Sequence, residues 1–411
     1  MRTFIPFEEA LETVLSCAHP MPSETVPLSE AQGRTLSSAV VSRGDVPPFA
    51  SSAMDGFAVR SADLVADPDR ALRISAHIPA GLGKPAHVEA GCTAAIMTGA
   101  VFPSGADAVI PVERVAWQED GHVRFSMVPD PGRHVRPAAE DVRNGDRVFH
   151  GGEVITPAIM GMLATLGVDP VPVRRAPCVR VISTGDEIVS PALTPGPGQI
   201  RNSNGPALCA QVGTAGGSCA GFEHAADTPE AIRHCLEEGE EADVLVFSGG
   251  VSMGDHDHVR TVLESMGARM HFWQVQQRPG KPLAFGQLGK QLFIGLPGNP
   301  VSSAMCFEIY VQPLIGHMLQ RETPAPSRLP ARLGRSMDKV EQLHYFARGQ
   351  VRVDDGGQLH VVDSGPQGSN LYGSVVRANC IIHLPSGMAR VEAGETVWVQ
   401  MLPWGSLATV G

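Results

Sequence analysis

The chain has 411 residues, 43% apolar and 18% charged, the composition of a globular protein of more than one domain. A formal charge of −11 argues against nucleic acid as the main partner, since phosphate-backbone binding needs clustered cations. No run of about 18 apolar residues offers a membrane span, and acids stand in MRTFIPFEEALETVL where a signal peptide is apolar, so a cytoplasmic location is expected. Eight scattered cysteines without a CxxC pair read as reduced thiols.

In chain order, Phe7, Ala10, Leu11, Val14, Leu15 and Ala18 share one helical face that Pro20 ends. Residues 21–44 are short and strand-like, and 45–144 is β-rich, with a hairpin signal at Asp120-Gly121. Thr156 and Pro157 open a helix that stops at Gly167. From about 176 to 325 strands alternate with helix patterns at 205–213, 228–239, 258–267 and 301–318, the signature of a parallel sheet with helices on both faces. After Pro324 and Pro326 alternating strands return, including a pair flanking Asp355-Gly356-Gly357, which predicts a small β-barrel or sandwich.

Three segments carry the chemistry: 179-VRVISTGDE-187, 243-DVLVFSGGVSMGDHD-257 and 292-LFIGLPGNP-300. Each is an apolar strand that breaks at glycine, where backbone can approach a ligand, and open α/β sheets bind ligands at the carboxyl ends of their strands. Gly249-Gly250 and the Pro297-Gly298-Asn299-Pro300 turn expose amides suited to a phosphate, whereas Glu187 and Asp257 bring carboxylates to the same edge. Acids beside a phosphate repel it unless a hard divalent cation lies between, so charge balance points to magnesium at Glu187 and Asp257. Taken singly, each feature has an ordinary structural reading: a tight turn, a helix cap for Asp257, solvent-facing acids in STGDE. The stiff QQRPGKPLAFG loop holds Arg278 and Lys281, a pair fit for an anion, and Asp55, Thr98-Gly99 and Asp141 stand on loops of the β-rich region. His256 and His258 are given no role. Hydrolase triads, Walker loops and a Rossmann GxGxxG are absent.

In this order and spacing, SAMDGFAV, STGDE, SGGVSMGDHD, RPGKP and GLPGNPVS resemble the MoeA-type molybdopterin molybdenumtransferases, the molybdenum insertases related to the E-type domains of gephyrin and plant Cnx proteins. The resemblance spans essentially the whole chain. It implies a homodimer of four-part subunits: residues 1–44 with 145–175, an inserted β-rich part at 45–144, an α/β part at 176–325, and a β-barrel at 326–411. It also implies a reaction that takes adenylylated molybdopterin and molybdate to molybdenum cofactor and AMP with Mg2+, in a cleft shared between the α/β part of one subunit and the inserted part of its partner. On that pattern Asp55, Thr98, Asp141, Glu187, Asp227, Asp257 and Lys281 are the catalytic set. Ser248, Gly249, Gly250, Ser252, Arg278, Lys281, Pro297, Gly298, Asn299, Pro300, Arg348 and Ser369 bind the ligand, and other molybdenum-cofactor proteins are possible partners for hand-over. The sequence departs from the pattern at Arg278 (commonly lysine), Asn202 (often aspartate) and Ala139 (a usual glycine). An adenylyltransferase of the same α/β type would not need the two β parts, and a pure scaffold would not need clustered acids.

Overall fold

The computed structural model describes residues 2–81, 86–239, 241–250 and 258–409. Its central sheet has the strand order Arg2–Ile5, Arg269–Val275, Ala284–Leu288, Gln291–Leu296, Val244–Ser248, Cys178–Thr184, Ser218–Ala225. The last four pair in parallel, as expected. Ala284–Leu288 runs antiparallel to both of its neighbours, which makes the sheet mixed. Successive residues of the parallel strands point to opposite faces, and both faces are covered. Val179, Val181, Val244 and Val246 join a core with the helices Asn204–Ala215 and Gln312–Met318. Ile182, Leu245 and Phe247 pack with the helices Pro229–Glu237 and His258–Ser265. The N-terminal strand pairs with Arg269–Val275, and Phe7, Ala10 and Val14 of the helix Phe7–Ser16 enter the first of these cores.

The inserted region forms a six-stranded sheet, whose hairpin Val115–Glu119/His122–Phe125 turns at Asp120 and Gly121, both at positive φ. Asp55-Gly56 is not a hairpin turn. Gly56 begins the strand Gly56–Val59, and a Cβ there would lie 2.1 Å from Ile110 O, so only glycine admits the neighbouring strand. Between the inserted sheet and the α/β part, Thr156 caps the helix Pro157–Thr165 by accepting from Ile159 N. At the C-terminal end His344–Val353, Leu359–Asp363, Arg328–Leu333, Thr396–Met401 and Cys380–Leu384 pair in turn and close onto His344–Val353, a five-stranded barrel.

Two expectations are corrected. Cys209 and Cys219 are joined, not both reduced: Gly216-Gly217 reverses the chain and lays the helix beside the strand, with the two Cα atoms 5.4 Å apart. The helix expected at 301–318 is interrupted by a π segment, Phe307–Val311, between Pro300–Cys306 and Gln312–Met318. Pro313 has no N–H to give to the preceding turn and its ring crowds the carbonyl of Ile309, so the helix widens just upstream.

The π segment carries a buried acid. Glu308 is 2% exposed and accepts from Gln211 Nε2 at 2.5 Å. Glu308 Oε2 and Gln211 Oε1 are both buried without a partner among the described residues. Desolvation pushes the Glu308 carboxyl up to about 7, and the bond from Gln211 opposes it. A proton on Glu308 supplies the donor that this pair of acceptors lacks. Because the folded value is the raised one, stability is present below the ordinary glutamate range and is lost as pH rises through about 7. Glu308→Gln is therefore expected to exceed the native chain in stability at about pH 8 by on the order of 2 kcal/mol and to converge with it near about pH 5. Chemical denaturation at the two pH values checks this, and equal curves at pH 8 would contradict it.

Candidate functional site

The four parallel strands end side by side at Thr184, Ala225, Ser248 and Leu296, and each leads straight into a turn. These turns, with the start of the helix Asn204–Ala215 and residues 188 and 200–203, enclose a cleft of about 610 Å³. Glu187, Asp227, Ser248, Gly249, Gly250, Pro297, Gly298, Asn299 and Pro300 all line it, so the sequence-predicted residues of the strand ends come together.

The glycines are sterically required. Gly249 and Gly250 have φ of +96° and +63°, and Cβ atoms there would lie 2.8 Å from Thr184 O and 2.7 Å from Thr184 Oγ1. Thr184 Oγ1 is itself buried with no partner among the described residues. Asn204, which sequence reasoning passed over, donates through Nδ2 to Ser248 Oγ at 2.7 Å and to Gly298 O at 2.8 Å. Asn202 is 4% exposed, and its Oδ1 accepts from Gly205 N at 2.9 Å and Ser183 Oγ at 3.3 Å. Its oxygen is engaged at the start of a helix, where an asparagine serves without added charge.

The acids Glu187 and Asp227 stand on the turns after Cys178–Thr184 and Ser218–Ala225 and line the same cleft. A Cβ on Gly185 (φ +138°) would lie 2.6 Å from Glu187 Oε2, so the Glu187 carboxylate folds back over backbone that only glycine leaves open. His224 Nε2 approaches Gly185 O at 2.7 Å, and Asp227 N donates to Asp186 Oδ1 at 3.1 Å. Desolvation raises the Asp227 carboxyl above its ordinary value, and the charges of Asp186 and Glu187 add to it. With the Asp186 and Glu187 carboxylates acting on Asp227, this corner of the cleft favours a cation. Among the described residues no group of three or more His, Cys, Asp or Glu side chains is poised to hold a metal by itself. The donor set nevertheless fits Mg2+, a hard ion that takes one or two protein carboxylates and fills its remaining positions with water and phosphate oxygens.

The remaining candidates lie elsewhere. Asp55 is fully exposed on the inserted sheet, where Oδ1 accepts from Thr98 N at 2.7 Å and Thr98 Oγ1 at 2.6 Å, and these bonds hold its carboxyl below the usual range. Asp141 N donates to Val46 O at 2.9 Å, and nearby Ala139 sits at φ +58°, the conformation that accounts for glycine at this place in the family pattern. Arg278 lies 5.4 Å over the Tyr345 ring and donates to its hydroxyl at 3.2 Å, which ties the RPGKP loop to the barrel. Lys281 is exposed, its Nζ 5.2 Å over the Phe4 ring, and the adjoining Pro282 lines the cleft. Arg348 is 1% exposed and donates to Ser374 Oγ, Pro366 O and Gly368 O, so its guanidinium fastens the loop that carries Ser369. Ser369 O accepts from Val301 N at 3.2 Å, and the next residue, Asn370, reaches the cleft. Ser252 and Asp257, with His256, lie outside the described residues.

Three family models match in sequence: the MoeA N-terminal region (domains I and II) over residues 5–167, a probable molybdopterin binding domain over 180–317, and the MoeA C-terminal region (domain IV) over 330–402. The chain is 36% identical to the molybdopterin molybdenumtransferase of Haemophilus influenzae, over 93% of this chain and 95% of that one. It is 32% identical to the Bacillus subtilis protein of that name, over 99% and 98% of the two chains. The crystal structure of the molybdopterin biosynthesis MoeA protein of Pyrococcus horikosii superposes with a TM-score of 0.83 at 31% identity, covering 97% of this chain and 99% of that one. With all three regions in order and relatives matched from end to end, the chain belongs to the MoeA family.

Proposed function

We infer that the protein is a molybdopterin molybdenumtransferase, a transferase of molybdenum cofactor biosynthesis. The observation that carries this reading is the meeting of glycine amides and carboxylates from four strand ends in one cleft, in a chain whose relatives of that name match it along nearly its whole length. In the finer reading the substrate is adenylylated molybdopterin, molybdate is inserted into it, and AMP leaves. The amides of Gly250, Gly298 and Asn299 hold phosphate oxygens, while Gly249 N donates to Leu296 O and lets the chain approach closely; Arg278 and Lys281 attract the anionic substrate along the adjoining loop. Glu187 and Asp227, with Asp257, are the residues that would hold Mg2+; when bound, the ion offsets charge on the phosphoanhydride. Among the described residues Asp55, Thr98 and Asp141 do not line the cleft of their own chain, a placement suited to completing the cleft of a second copy in a homodimer. The negative net charge and the lack, among the described residues, of any helix long and apolar enough to cross a membrane are consistent with work in the cytoplasm without nucleic acid or membrane partners.

The test is AMP release from adenylylated molybdopterin by the purified chain, with molybdate and magnesium supplied together or singly. Release that requires both is expected. ATP consumption that leaves molybdopterin adenylylated would identify an adenylyltransferase, and absence of both activities would favour a scaffold.

A further inference from the structure

Asn204 is explained neither by the strand-end glycines nor by the acids of the cleft. It opens the helix Asn204–Ala215, and both hydrogens of its side-chain amide are committed to other elements: Ser248 Oγ at 2.7 Å and Gly298 O at 2.8 Å. Those acceptors belong to the two amide-bearing turns. Ser248 immediately precedes Gly249-Gly250, and Gly298 stands inside the Pro297–Pro300 turn. The turns are already in contact, since Gly249 N donates to Leu296 O at 3.1 Å and a Cβ on Gly298 would lie 3.5 Å from Gly249 Cα. Ser248 Oγ, 2% exposed as a residue, also meets Ser303 Oγ at 3.3 Å, so the acceptor is fixed from behind.

A single planar amide thus bridges three elements, and a side chain with two hydrogens on one nitrogen is needed to do it. Aspartate has the same shape but no donor, and would set a carboxylate against the Gly298 carbonyl. Alanine would leave both acceptors unheld. Resting on the phosphate reading of the cleft given above, we propose that Asn204 is a positioning residue: it fixes the spacing of the Gly249-Gly250 and Pro297–Pro300 turns so that the N–H groups of Gly250, Gly298 and Asn299 converge on one phosphate group of the ligand. Its effect passes through the turns and is specific to the anionic part of what binds there.

Comparing AMP with adenosine isolates that effect, because the two differ only in the phosphate. Calorimetric titrations of the full chain in Mg2+ would be run for the native protein, Asn204→Asp, Asn204→Ala, Ser248→Ala and the Ser248→Ala/Asn204→Ala double variant. AMP affinity is expected to fall about tenfold or more in both Asn204 variants, with adenosine affinity unchanged. Because the two residues act through one bond, Ser248→Ala should cost less in the Asn204→Ala background than alone. Equal loss for AMP and adenosine, as from a collapsed cleft, would overturn the proposal, as would unchanged AMP affinity in Asn204→Asp. If the native chain itself shows no preference for AMP over adenosine, the phosphate reading of the cleft fails and the proposal goes with it. Native preference retained undiminished by the variants overturns the proposal alone.

Discussion

Glu187→Gln is expected to reduce AMP release from adenylylated molybdopterin by about 10²–10³-fold, the usual cost of removing one well-placed electrostatic group from an active site. The substitution keeps the shape of the side chain and removes its charge. Glu187 is exposed on the turn after Thr184, and its backbone carbonyl accepts from Ile200 N at 2.8 Å, which the substitution leaves in place. Its side chain makes no hydrogen bond among the described residues, so stability is expected to change by no more than about 0.5 kcal/mol. A second consequence is independent of turnover. The Asp227 carboxyl is raised by desolvation first, then by the charges of Asp186 and Glu187. Removing the Glu187 charge should move Asp227 back toward its ordinary value, which carboxyl-resolved NMR titration would detect. Loss of activity without that return would mean that the two acids do not share one field. Activity within a few-fold of the native chain would remove Glu187 from the site.

The parts of this site that could be read from sequence are those whose local chemistry admits few alternatives. Strands buried on both faces must be apolar, and a ligand-facing break needs glycine, so VRVISTGDE, DVLVFSGG and LFIGLPGNP announce their ends. The helix at Thr156-Pro157 and the turn at Asp120-Gly121 are equally local. Features that depend on distant partners were not legible. The strand Arg2–Ile5 has one buried residue and owes its existence to Arg269–Val275, far along the chain. Asn204 lies in a polar run, IRNSN, where its amide has no distinguishing mark until Ser248 and Gly298 are placed against it. Arg348 resembles a ligand-binding cation in sequence, yet three acceptors on its own domain occupy it. Pro313 was visible, but whether a proline kinks, ends or widens a helix depends on what packs around it.

A methyl group at Gly280 is expected to destabilise the α/β part by about 2–5 kcal/mol, from two separable sources. Gly280 has φ +88°, which costs an L-residue about 1–2 kcal/mol. Its added carbon would also lie 2.2 Å from Cys306 Sγ and 2.8 Å from Gln277 Nε2. Neither neighbour has room to retreat. Cys306 and Gln277 are fully buried; Gln277 Nε2 donates to Gly280 O at 3.2 Å, and its Oε1 accepts from the buried Tyr310 hydroxyl. Overpacking such a core typically costs about 1–3 kcal/mol. The sources separate in a double variant. Cys306→Ala removes the sulfur that the methyl meets but leaves the backbone strained, so Gly280→Ala should cost only about 1–2 kcal/mol in that background. Denaturant unfolding of the four proteins gives the cycle. Equal costs in both backgrounds would mean that the clash is relieved elsewhere, and a cost below about 0.5 kcal/mol would contradict both sources. The same loop carries Arg278 and Lys281, so a displaced Gly280 should also weaken binding of the anionic substrate, and Cys306→Ala should restore part of that affinity along with the stability.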